Sequence, residues 1–342
     1  MNKRILIIRT DKIGDLVLST PVIKAVRDAY PDSYIAAVVR PYAHEIIKGS
    51  PYLDEIITYD KEKNGKGILW DIKFILKLRK KKFDLALVLH PKNRVHIITF
   101  LSGIPERVGY DKKLGCLLTK KIPHLKQYGL KHEIDYTLDI VRYIGIEPKE
   151  KSLYVTVDKE AKKKIGDMFA MNGISESDLV VTIHPGSSCF SKRWDARHFA
   201  KVADSLVLQR RNAKIIIIAG PHDKCFGDRV AELMKAKNMN LSGKTTVSEM
   251  VCILKRSGLF ISNDSGPVHI ACAVGTPTIS IFGRSDRGLS PERWAPIGKK
   301  DVALHKDVGC EICLSHNCKL GFKCLEAISE EEVIAAAEKI LG

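Results

Sequence analysis

The amino-acid sequence predicts two doubly wound α/β domains, each a parallel sheet covered by helices. Three observations carry that prediction. The chain has 342 residues, more than one ordinary core holds and enough for two domains of roughly 150 residues each. Short β-branched runs alternate with helical stretches along the whole chain, the pattern of parallel strands joined by crossover helices. Polar, glycine-containing segments follow the ends of those runs, where parallel sheets bind ligands.

The elements follow in order. Arg4–Arg9 (RILIIR) reads as a buried strand. Asp15–Tyr30 has helical periodicity, with Leu16, Val17, Val22, Ile23 and Val26 on one side. Tyr34–Arg40 is a strand, Ala43–Lys48 a short helix and Glu55–Tyr59 a strand. Gly67–Lys82 is a helix whose basic end, Arg79 to Lys82, suits a helix C-terminus. Asp84–His90 is a strand, followed by helices at Arg94–Leu101 and Glu133–Ile144. A junction is expected near Lys149–Lys164. Beyond it Leu179–His184, Lys214–Ala219, Leu259–Ser262 and Thr278–Phe282 read as strands. Ala196–Arg211, Lys224–Lys237, Val247–Arg256 and Val268–Val274 read as helices. The last helix, Ser329–Leu341, has Ser at its N-cap and Glu332 three residues on. The expected domains are residues 1–160 and 161–326, with 327–342 as a C-terminal helix.

Composition narrows the function classes. The chain is 45% hydrophobic and 28% charged, a globular balance that excludes a disordered or fibrous chain. No apolar run reaches the roughly 18 to 20 residues of a spanning helix. The basic start Met1 to Arg4 leads into an apolar run that stops at Arg9-Thr10-Asp11-Lys12, so no export signal is expected and the chain reads as cytosolic. The formal net charge is +16. The excess is dispersed, with the first half more basic, and favours an anionic partner. Nine cysteines are present, four of them clustered as Cys310, Cys313, Cys318 and Cys324. Structural zinc, packed free thiols and a disulfide all stay open for that cluster. Four thiolates would leave no open position for catalysis, so no catalytic metal and no cofactor are expected.

In the second half, four segments follow strand ends: His184 to Ser188, Gly220 to Asp223, Asn263 to His269, and Gly283 to Asp286. Together they describe a ligand crevice. Asp264, Ser265 and Gly266 bring a carboxylate, a hydroxyl and a bare backbone to a helix start, which suits phosphate; the plain alternative is a helix cap. Lys192 and Arg193 offer positive charge to a phosphate; the plain alternative is a surface lysine. In the first half, Thr10 to Asp15 and His90 to Arg94 form a matching edge. Asp15, at a helix start, is either a cap or a general base held rigidly in place. No Gly-x-Gly-x-x-Gly follows the first strand, no Gly-x4-Gly-Lys-Ser/Thr occurs, and no Gly-x-Ser-x-Gly elbow occurs. Dinucleotide, P-loop and serine-hydrolase readings therefore fail.

In their order, these motifs resemble the ADP-heptose:lipopolysaccharide heptosyltransferases, glycosyltransferase family 9. The resemblance rests on Arg9 to Asp15 with Ser19-Thr20-Pro21, Ile104 to Tyr110, and His132 to Tyr136. It continues through His184-Pro185-Gly186-Ser187 with Lys192-Arg193-Trp194, Asn263 to His269, and Gly283 to Asp286. Arg284 stands where many members have proline, and His90-Pro91-Lys92 is an individual version of the acceptor-side loop. The resemblance implies a GT-B fold: two Rossmann-like domains facing across a cleft, with the C-terminal helix returning to the first. It implies inverting, metal-independent transfer of heptose from an ADP-sugar donor to a lipopolysaccharide core. Asp15 would be the base and Lys192 would neutralise the diphosphate. Ser187 and the Asp264, Ser265, Gly266, Pro267 loop would hold phosphates, with Ser188 and His269 as further substrate-binding residues and Asp223 near the ribose. Thr10 and Gly14 would belong to the acceptor side of the first domain. The acceptor would be an anionic glycolipid at the inner face of the cytoplasmic membrane, with peripheral contact and no nucleic acid. Two other readings stay open: a nucleotide-sugar epimerase of GT-B type, and a basic nucleic-acid-binding protein with a zinc module.

Overall fold

The computed structural model describes residues 2–60 and 68–342. Gly67, the expected first residue of one helix, lies outside them; that helix is described as Ile68–Lys80. The chain divides into two compact units. One is Met1–Gln127 with Lys131–Thr156, and the other is Val157–Gly342 with Tyr128–Leu130.

The first unit holds strands β1 (Arg4–Arg9), β2 (Tyr34–Val39), β3 (Glu55–Thr58), β4 (Leu85–Val88), β5 (Glu106–Asp111) and β6 (Lys120–Pro123). They lie in the order β3-β2-β1-β4-β5-β6. Every pairing is parallel, with Ile8 opposite both Val38 and Val88. After its first residue β1 is buried throughout, as expected of a strand covered on both faces. One face packs on Phe74, Leu78, Val95 and Ile98 from two crossover helices.

The second unit repeats the plan with β7 (Leu179–His184), β8 (Ala213–Ile217), β9 (Asn238–Asn240), β10 (Leu259–Asn263), β11 (Thr278–Phe282) and β12 (Val302–His305). Their order is β12-β11-β10-β7-β8-β9, again all parallel. Each sheet reverses its winding once, between β1 and β4 and between β7 and β10. Ligands bind beyond the strand ends at such switch points. The architecture is GT-B in kind, two Rossmann-like units.

Several expectations need correction. The helix expected over Asp15–Tyr30 is two helices, Ile13–Val17 and Thr20–Ala29. Pro21 supplies no N–H to continue the first and instead opens the second. The junction expected over Lys149–Lys164 is shorter. Asp158 accepts a hydrogen bond from the Ala161 N–H and starts helix Lys159–Met171, which packs on helix Val247–Arg256 of the second unit. The C-terminal helix, Glu330–Leu341, is part of the second unit. Val333, Ala337 and Ile340 sit in that unit's core with Val181, Ile261 and Leu206. Its capping box is present, with Ser329 and Glu332 bonded reciprocally. Four strands escaped the sequence reading: β5, β6, β9 and β12. They lie toward or at the sheet edges and are short, polar or incompletely buried, so they lack the continuous apolar run that marks a central strand.

Candidate functional site

At the switch point of the second unit, one side chain staples two loops together. Asn263, fully buried at the end of β10, accepts a hydrogen bond from the Trp194 N–H at 3.0 Å and donates to the Pro185 carbonyl at 2.7 Å. The Pro185–Trp194 segment is thereby fixed against the loop after β10. His184 ends β7, and its Nδ1 lies 3.3 Å from Ser262 Oγ and 3.2 Å from Ser265 Oγ. Burial pushes the His184 imidazolium down to about 4, so the ring is neutral at pH 7.

Asp264 follows at once. Its carboxylate pairs with Lys192 Nζ at 2.6 Å and with Arg284 Nη2 at 3.3 Å. Lys192 also donates to the Asp264 carbonyl at 3.3 Å. Asp264 and Arg284 are buried and Lys192 nearly so, which rules out a surface lysine. The trio carries one net positive charge. Arg193 donates to the Ser187 carbonyl at 3.1 Å and lies 3.7 Å from Asp223. Burial raises the Asp223 carboxyl, with Arg193 and then His222 opposing. A Cβ on Gly186 would come within 2.9 Å of the Asp223 side chain, so only glycine permits this approach.

The other expected donor-side residues fall around this group. Ser187 is buried and donates to the Cys189 carbonyl at 2.6 Å; Ser188 is exposed. Ser265 stands at the N-cap of helix Gly266–Val274, but its side chain does not cap it. Pro267 lies in the first turn of that helix. A helix start with no side-chain cap keeps its anion-binding character. His269 is buried on the same helix, its ring 6.4 Å from that of Trp294.

The first unit carries a second constellation at its own switch point. Arg9 closes β1 and is buried. Its guanidinium pairs with Asp11 at 2.9 Å, Asp15 at 2.9 Å and Glu133 at 3.3 Å, and it donates to the Leu89 carbonyl at 2.9 Å. Lys126 Nζ lies 2.7 Å from Glu133. Three carboxylates thus share two cations. Burial pushes the Asp11 carboxyl up to about 7, Arg9 opposes, and Asp15 and Glu133 add to the rise. When all three are ionised, the carboxylates outnumber the two cations by one. Asp15 sits in the first turn of helix Ile13–Val17 with Gly14 beside it. Thr10 is buried; its carbonyl accepts from Arg40 Nε at 3.0 Å, and its hydroxyl lies 3.4 Å from His90 Nδ1.

Sequence reasoning named Asp15, Lys192 and Asp264 but assigned no role to Arg9, Glu133, Asn263 or Arg284. Arg9 did leave a signal, a charged residue closing an apolar strand. Glu133, Asn263 and Arg284 stood inside segments the sequence singled out, but their partners lie far away in sequence, so their roles were not legible. The cysteine segment packs on the Lys192 loop through His316, whose Nδ1 is 3.1 Å from Ser191 Oγ. All nine cysteines are free. Among the described residues no group of three or more His, Cys, Asp or Glu is arranged to hold a metal ion. No helix among them is long and apolar enough to cross a membrane.

Comparison with known proteins shows the family. Residues 72–323 match the model of glycosyltransferase family 9 (heptosyltransferase). The chain is 28% identical over 339 residues to lipopolysaccharide heptosyltransferase 3 of Escherichia coli K12, covering 96% of this chain and 95% of that one. It is 26% identical over 337 residues to lipooligosaccharide heptosyltransferase 2 of Campylobacter jejuni, covering 96% and 95%. Among solved structures, a family 9 glycosyltransferase from Veillonella parvula superposes with a TM-score of 0.90 at 27% identity, over 100% of this chain and 98% of that one. The E. coli heptosyltransferase WaaC with ADP shares the fold, with a TM-score of 0.75 at 17% identity, over 98% and 99%. With its family matched over most of its length, the chain belongs to glycosyltransferase family 9, the heptosyltransferases, and is a glycosyltransferase.

Proposed function

We propose that this protein transfers heptose from ADP-heptose to a lipopolysaccharide core acceptor, with inversion at the anomeric carbon. The observation that carries the reading is the buried Lys192–Asp264–Arg284 group beyond β7 and β10, a fixed positive site where a diphosphate would lie. In this reading the second unit binds the donor. Lys192 meets the diphosphate. Ser187, Ser188 and the loop from Asp264 to Pro267 hold its oxygens, Asp223 meets the ribose and His269 supports the loop from within. The first unit binds the acceptor through the edge that carries Thr10 and Gly14. The acceptor hydroxyl oxygen forms a bond to the anomeric carbon as the bond from that carbon to the diphosphate oxygen breaks. Asp15 takes the hydroxyl proton, and ADP leaves with its charge neutralised by Lys192. The reaction occurs at the inner face of the cytoplasmic membrane, where the protein is peripheral and its basic surface meets an anionic glycolipid.

A thermal-shift screen of ADP-, UDP-, GDP- and CDP-sugars tests the donor. A ligand at 100 times its Kd stabilises by about 2.7 kcal/mol, and only the ADP-sugar should do so. Equal shifts from all four overturn the donor assignment. Turnover of ADP-heptose with no acceptor present overturns transfer in favour of epimerisation.

A further inference from the structure

Helix Ile68–Lys80 of the first unit is apolar on two opposite sides. Phe74 and Leu78 enter the core beneath it. Leu69, Ile72 and Leu76 are on the outside, with Leu69 75% exposed and Leu76 49% exposed. Leu76 points about 160° around the helix from both Phe74 and Leu78, almost directly away from the protein. A helix that is apolar all round is ordinarily covered all round. Lys73, Lys77, Arg79 and Lys80 flank this outer stripe and are exposed. The one acidic side chain described in the helix, Asp71, is taken by Arg94 at 2.8 Å and by the Tyr59 hydroxyl at 2.7 Å.

The neighbouring helix, Asn93–Leu101, extends the surface. The Asp71–Arg94 pair joins the two helices, and Ser102 donates to the Ile75 carbonyl at 3.4 Å. Ile97, Phe100 and Leu101 of the second helix are exposed. An apolar patch with a basic rim is thus displayed by two helices of one layer. Six exposed large apolar side chains on two adjoining helices are the composition of an interaction site.

We propose that this face docks on the surface of an anionic phospholipid bilayer. The apolar stripe would enter the headgroup boundary, while the lysines place their stems along it and their ammonium groups among lipid phosphates. The charge argues for lipid over a second copy of the chain, because two copies would bring their lysine rows together. The helix has 13 residues and lies along the interface, being too short to span it. The inference deepens the membrane-face placement proposed above and rests on that reading for the side of the membrane it meets.

The test is co-sedimentation of the full chain with vesicles of phosphatidylcholine alone or with about 30 mol% phosphatidylglycerol. The protein should bind the anionic vesicles and release as salt rises. Ile72→Glu with Leu76→Glu should weaken binding at least about tenfold. Lys73→Gln and Lys77→Gln should each weaken it about fivefold. All four side chains are exposed, so the variants should keep the parent melting temperature. Failure of the parent to bind either vesicle overturns the docking and the peripheral placement together. Parent binding that no variant weakens overturns this face alone. A dimer dispersed by the double variant, with vesicle binding intact, assigns the face to a second copy and overturns the proposal. The vesicles carry no acceptor, and the ADP-sugar shift is measured without them, so failure here leaves the donor reading separately decided.

Discussion

Lys192 is the residue whose removal discriminates most sharply. Its ammonium is 2.6 Å from Asp264, with 16% of the side chain exposed. With Arg284 the group carries a net charge of +1; Lys192→Ala takes it to zero. A diphosphate then loses one charge-assisted hydrogen bond, worth about 1.5–3 kcal/mol. That is about a tenfold to 150-fold rise in the Kd for ADP. Adenosine carries no phosphate and should bind almost unchanged. Arg284 still holds Asp264, so no buried carboxylate is orphaned and the fold should survive. Calorimetric titration of ADP and adenosine into the parent and the variant, at low and moderate salt, reads the difference directly. The ADP loss should shrink as salt rises, because Lys192 is only partly buried. Equal losses for ADP and adenosine, or an unchanged Kd for ADP, would refute a phosphate role for Lys192.

Three other outcomes are expected. Asp15→Asn should lower kcat by about 10²-fold, the usual contribution of a general base, while ADP titration is unaffected; near-normal turnover would leave Asp15 as a partner of Arg9 only. His184 is held at about 4 in the fold against about 6.5 unfolded. Below pH 6.5 the unfolded chain therefore binds the extra proton, and stability falls by about 3 kcal/mol as pH drops from 6.5 toward 4. Asp11, pushed up to about 7, works in the opposite sense over an overlapping range, so urea unfolding of the parent against His184→Gln isolates the histidine, and parallel pH profiles would reject it. Finally, transfer should persist in EDTA with no stimulation by Mg²⁺ or Mn²⁺; loss of turnover by a folded enzyme, restored by a divalent ion, would reject leaving-group stabilisation by Lys192 alone.

Local sequence determined the central elements. The runs RILIIR, LVVTIH and TISIF are apolar and β-branched, and each became a buried strand with the expected bounds. Helix Val247–Arg256 and the capping box at Ser329 were equally legible, because caps and periodicity are interactions between near neighbours. The positions of Asp15, Lys192 and Asp264 beyond strand ends were readable for the same reason. Tertiary structure alone decided the rest. Strands β5, β6, β9 and β12 are strands because a neighbouring strand supplies their hydrogen bonds, and their own residues barely favour it. The last helix joined the second unit because that unit's core had room for Val333, Ala337 and Ile340; nothing in the helix itself names its partner. The partners of the site's charges are also absent from any local pattern. Arg9 meets Glu133 across 124 positions, and Lys192 meets Asp264 across 72. A buried charge is tolerated only where folding brings an opposite charge to it, and that meeting is a property of the assembled sheets.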